Sequence, residues 1–80
     1  MAHKRSALER VRGNPKNVQA KDLQELLVDF GFELREVSGD HYVYKKDGYR
    51  PIPIPIRQNP VAYFIVKEIL KVIETIEDEA

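Results

Sequence analysis

Arg50-Pro51-Ile52-Pro53-Ile54-Pro55-Ile56 is the stretch on which the fold turns. Three prolines in seven residues ordinarily argue against a strand, because each lacks the N–H that a ladder needs. Here they recur at every second position. Alternate residues of a strand send their N–H groups to the same edge, so Pro51, Pro53 and Pro55 remove donors from one edge alone. Ile52, Ile54 and Ile56 keep theirs for the other edge and put their side chains on one face. The stretch reads as an edge strand that pairs inward, lays isoleucine on a core and resists pairing outward. A free polyproline segment would leave those isoleucines in water.

Upstream, Lys46-Asp47-Gly48 is expected to close a hairpin, since Asp-Gly accepts the positive φ of tight turns. His41 to Lys45, rich in Tyr and Val, reads as the preceding strand. Ser38-Gly39-Asp40 is turn chemistry, and Phe32 to Val37 alternates as a first strand. Leu23, Leu26, Leu27 and Phe30 fall at i, i+3, i+4 and i+7, one face of a helix over about 19–30. Gly31 follows in the place of a left-handed C-cap. Downstream, Asn59-Pro60 reads as N-cap and first helical residue. The helix then runs to about 77, with Ala62, Ile65, Val66, Ile69, Ile73 and Ile76 as its apolar stripe.

The expected fold is α+β, in the order α-β-β-β-α. A three-stranded antiparallel sheet carries both helices on one face. Residues 18–77 form the domain, 1–17 a basic extension, flexible or draped over the domain, in which Ser6 to Arg12 could form a turn or two of helix, and 78–80 an acidic tail.

The chain of 80 residues has room for one domain. It has no cysteine, which removes disulfides, thiolate nucleophiles and Cys-ligated zinc. No apolar run reaches the ~18–20 residues of a membrane span, and no basic-then-apolar leader opens the sequence, so the cytoplasm is the expected compartment. The net charge of zero conceals blocks. Lys4, Arg5, Arg10, Arg12, Lys16 and Lys21 face only Glu9 in residues 1–21, whereas residues 72–80 hold Glu74, Glu77, Asp78 and Glu79 and no base. A basic N-terminal stretch is either a weak nucleic-acid footprint or a solvated tail.

There is no Gly-rich phosphate loop and no metal-ligand spacing, and neither metal nor cofactor is expected. Of two histidines, His3 lies in the extension, and His41 stands at a strand start after a Gly-Asp turn. Histidine is the side chain whose ordinary pKa suits proton transfer near neutral pH. A histidine at such a place is either catalytic, an exposed strand end or a structural residue of the sheet. RNA brings its own nucleophile, the 2′-OH, so an imidazole and a cation suffice for its cleavage. The nearest cations in sequence are Lys45, Lys46, Arg50 and Arg57, otherwise ordinary solvated charges. Lys45 shares the strand parity of His41, about 13 Å along at ~3.3 Å per residue. The last helix opens Pro60-Val61-Ala62-Tyr63-Phe64 with no base before Lys67, which disfavours the reading of duplex RNA. If RNA is bound, single strands suit these residues better than a duplex, with Tyr42, Tyr44 and Tyr49 either offering stacking faces or packing in the sheet. Phe64 lies outside the helix's apolar arc and, with Tyr63, marks a surface for a protein partner or a homodimer.

The ordered whole, from about Val18 to Ile73, resembles the HicA (YcfA-like) toxin family. The resemblance rests on Leu26-Leu27, Phe30-Gly31-Phe32, Ser38-Gly39-Asp40-His41, Tyr44, Asp47-Gly48 and the Ile52–Ile56 strand. It implies a fold like that of double-stranded-RNA-binding domains, a metal-independent mRNA interferase (an endonuclease), His41 as catalytic histidine, and a HicB-type antitoxin as partner in a type II toxin–antitoxin pair. The chain departs from the family in Gly39-Asp40-His41-Tyr42, where many members read Gly-Ser-His-His, and in a hairpin one residue shorter at Lys45-Lys46-Asp47-Gly48. The alternative is a non-catalytic RNA-binding or protein-interaction module on the same fold.

Overall fold

The computed structural model describes residues 6–79. Helices α1 (Ser6–Gly13) and α2 (Ala20–Asp29) precede strands β1 (Glu33–Ser38), β2 (His41–Lys45) and β3 (Ile52–Pro55), and helix α3 (Tyr63–Glu79) follows. The antiparallel sheet has the order β1-β2-β3, an α+β fold with the expected run of helix, three strands and helix. Among the described residues, no helix is long and apolar enough to cross a membrane.

α2 ends as its sequence requires. The Phe32 N–H reaches back to the Leu27 carbonyl (2.9 Å) and the Gly31 N–H to that of Val28 (3.0 Å). Together they close a Schellman motif around Gly31 at φ +94°. The closure turns Phe32 into the core beside Leu23, Leu26 and Leu27, all buried. The sheet answers with Tyr44 and Ile54, and α3 with Val66, Ile69 and Ile73. Tyr42, Tyr44, Ile52 and Ile54 thus mark the covered face, while Glu36, His41, Lys45 and Pro53 lie exposed on the other.

The proline strand pairs as its spacing demands. The Ile56 N–H donates to the Asp40 carbonyl of the preceding turn (2.9 Å). Ladder alternation then points the N–H groups of Ile52 and Ile54 at β2 and leaves Pro53 and Pro55 on the open edge.

Four expectations are corrected. The first concerns the extension. Residues 6–13 form α1, with Ala7 and Val11 fully buried and Leu8 packed against the core; residues 1–5 lie outside the described residues. Arg10 bonds to Asp22 (3.2 Å) and Glu25 (3.0 Å) on α2, and Arg12 to Glu77 on α3 (2.6 Å), so these bases meet the domain's own acids. Second, α3 starts at Tyr63 rather than at Pro60. The Asn59 Oδ1 accepts from the Ala20 N–H of α2 (2.7 Å), while Gln58 Oε1 takes the Ala62 N–H (2.6 Å). The asparagine caps the wrong helix for a local reading. Third, the acidic tail is helical through Glu79, which accepts a hydrogen bond from the Tyr49 hydroxyl. Fourth, β2 and β3 are joined by a longer connection than a tight hairpin, pairing Tyr44 with Ile52. Asp47-Gly48 instead makes a β-turn inside it, with Tyr49 N–H on the Lys46 carbonyl (3.0 Å) and Gly48 at φ +89°.

Candidate functional site

His41 is the first residue of β2. Gly39 (φ +58°) and Asp40 make the two-residue turn before it, and a positive φ at the first turn position is what glycine supplies there. The register sets His41 between Ser38 of β1 and Pro55 of β3, with its side chain exposed on the uncovered face.

From that end a groove of about 810 Å³ runs between the open edge of β3 and α3. Its floor is apolar, built from Pro51, Pro53, Pro55, Ile65, Ile69 and Val72. His41, Tyr49, Arg50 and Glu68 supply its ionisable groups, and Phe64, 70% exposed, stands on its wall. The prolines shape what it can hold. A peptide strand added to β3 would find no N–H donors at Pro53 or Pro55, so an occupant must bind through its faces and charges.

The four candidate cations have separate fates. Arg50 lines the groove with His41. Arg57 lies on Asp40 (Nε to Oδ1, 3.3 Å), a solvent-exposed pair that sets a positive charge against the carboxylate next to His41. Lys45 is exposed on the His41 face, opposite Glu33 in the ladder and outside the groove lining. Lys46 folds back over the end of α2: its Nζ lies 2.7 Å from where a Cβ on Gly31 would stand. A cation at a helix C-terminus is favourably placed against the dipole.

The tyrosines belong to the packing. Tyr44 is buried and donates to Gln24 Oε1 (2.7 Å), and burial, with Tyr42 beside it, pushes its hydroxyl above the ordinary tyrosine range. Tyr49 packs on Phe32 at 6.2 Å between ring centroids. Its hydrogen bond to Glu79, then burial, raises it likewise. Tyr63 carries Lys16 at 5.5 Å and Lys67 at 5.8 Å over its ring, so both its cation partners come from the chain itself. The exposed aromatic face at the groove is that of Phe64.

Sequence reasoning did not anticipate the groove, nor Glu68 and Pro55 within it. The available signal was the pairing of Phe64 with Glu68 at i, i+4, which puts an aromatic ring and a carboxylate on one side of α3. Among the described residues, no three His, Asp or Glu side chains converge as metal ligands. No family model, curated protein or solved structure matches this chain.

Proposed function

We propose that this protein is a metal-independent endoribonuclease acting on single-stranded RNA, the toxin of a type II pair restrained by a HicB-type antitoxin. The observation that carries the reading is an exposed His41 at the end of a groove that also takes in Arg50. The run α2-β1-β2-β3-α3, which follows α1 and has the order of a double-stranded-RNA-binding domain, supports it, as does the resemblance in Gly39-Asp40-His41.

The chemistry is a transesterification. The ribose 2′-OH attacks the adjacent phosphorus and the P–O5′ bond breaks, leaving a 2′,3′-cyclic phosphate and a 5′-hydroxyl. One proton leaves the 2′ oxygen and one arrives at O5′, so no water is consumed. The His41 imidazole serves one of these transfers and solvent the other, a contribution of roughly 10²–10⁴-fold. Arg50, five residues along from the His41 partner Pro55 and so about 16 Å away at ~3.3 Å per residue, is placed to hold a neighbouring phosphate of the bound strand rather than the one that reacts. The Arg57–Asp40 pair reduces the repulsion that a bare Asp40 would exert on the substrate. Phe64 offers a ring on which a base can stack.

The test is incubation of purified protein with an end-labelled unstructured RNA in excess chelator. Cleavage leaving cyclic phosphate ends, with a fully paired RNA spared, is expected. Absence of cleavage together with tight capture of the intact strand would replace the enzyme by a binding module.

A further inference from the structure

The two edges of the sheet are treated differently. β3 is closed to added strands by its prolines. β1, the other edge, contains neither proline nor lysine, and exposes Leu34 (44%) and Val37 (60%). An open edge with apolar side chains is a template for a further strand.

The register decides what fits there. Asp40 turns its carbonyl toward β3, so alternation along β2 turns His41, Val43 and Lys45 toward β1. Their partners Ser38, Glu36 and Glu33 therefore bond inward, which leaves the backbone N–H and C=O of Leu34 and Val37 pointing out. Leu34 and Val37 are three residues apart, yet both oppose covered-face tyrosines, Tyr44 and Tyr42. The irregularity between Leu34 and Glu36 makes this so, because the extra residue, Arg35, restores the parity.

We infer that β1 recognises β1 of a second copy of this chain, antiparallel, in the register that sets Leu34 against the partner's Val37. The sequence Glu33-Leu34-Arg35-Glu36-Val37-Ser38 is self-complementary in that register. Each Leu34 meets a Val37 through its outward backbone groups, on the same face, and each Arg35 meets a Glu36. Arg35, which in the single chain rests on Glu33 (3.4 Å), is exposed and free to turn to the new carboxylate. The dimer joins two three-stranded sheets into one and leaves both grooves open at the far edges. It does not depend on the RNA reading.

Sedimentation of the full chain from about 10 μM to about 1 mM tests the inference, a range suited to a short strand interface. A monomer–dimer equilibrium is expected, with amide exchange at Leu34 and Val37 slowing as concentration rises. R35E and E36R should each weaken it about tenfold, since two symmetry-related charge pairs change sign. The double variant R35E/E36R should restore association, and an equimolar mixture of the single variants should associate more tightly than either alone. A wild-type chain that stays monomeric throughout, or a dimer indifferent to these changes, overturns the register.

Discussion

At the scale of single residues, a few side chains connect parts of the chain that sequence keeps apart. Gly31 serves the end of α2 with its positive φ and leaves room for the Lys46 ammonium above it. Gly31→Ala should cost about 1 kcal/mol or more, from backbone strain and the displaced lysine. Thermal melting should show it as a fall of about 4–8 °C per kcal/mol. Asn59→Ala removes the acceptor of the Ala20 N–H and should cost about 1 kcal/mol, as loss of a helix cap does. The two raised tyrosines give a pH signature. Tyr44 is raised by burial and Tyr49 by its bond to Glu79, both above the ordinary 10.0. The folded state thus holds these protons more tightly than the unfolded chain does. Their contribution is complete below about pH 10 and is lost as pH rises through the folded values. Melting temperature should fall in alkali, and Tyr49→Phe, which cannot ionise, should flatten that fall.

At the scale of elements, the least expected is α1. Its two fully buried side chains are Ala7 and Val11, so truncating Val11 to Ala should destabilise the whole domain by about 2 kcal/mol, read from denaturant unfolding. A flexible extension would give no change. The helix was hard to read because eight residues with one small and two larger apolar side chains fall below what an isolated helix needs. Its stability comes from packing on α2, which sequence periodicity does not report. The start of α3 was misplaced for a related reason. Asn59-Pro60 has the local pattern of a helix start, but the asparagine oxygen is taken by a helix 39 residues away. By contrast, the pairing of β3 was legible, because its constraint lies within one strand: period-two prolines decide which edge has donors. The strand covers only Ile52–Pro55 of the seven residues read, leaving Arg50 and Pro51 in the connection. Gly31 was legible on similar grounds. The groove was not, since it needs β3 and α3 side by side: His41, Tyr49, Arg50, Phe64 and the prolines each stood out in sequence for a separate reason, and nothing local joined them. The open edge of β3 gives a further expectation. Pro53→Val returns an outward N–H, and the folded variant should self-associate faster than the wild type, measured by light scattering at matched concentration. Equal behaviour of the two would show that the prolines do not guard that edge.

At the scale of the molecule, a guarded sheet edge, an apolar groove and the exposed imidazole of His41 combine in a chain of 80 residues. The stabilising contacts and the proposed chemistry are largely separate: the core lies beneath the covered face, whereas His41 stands on the other face at a strand end. That separation permits a clean test. His41→Ala should change stability by no more than about 0.5 kcal/mol, as surface substitutions do. Purified wild-type and His41→Ala proteins should be compared for cleavage of one single-stranded RNA in chelator, with melting curves on the same samples. Equal melting is expected, with cleavage lowered by roughly 10²-fold or more in the variant. A variant that melts like the wild type and cuts RNA as fast would contradict the role proposed for His41.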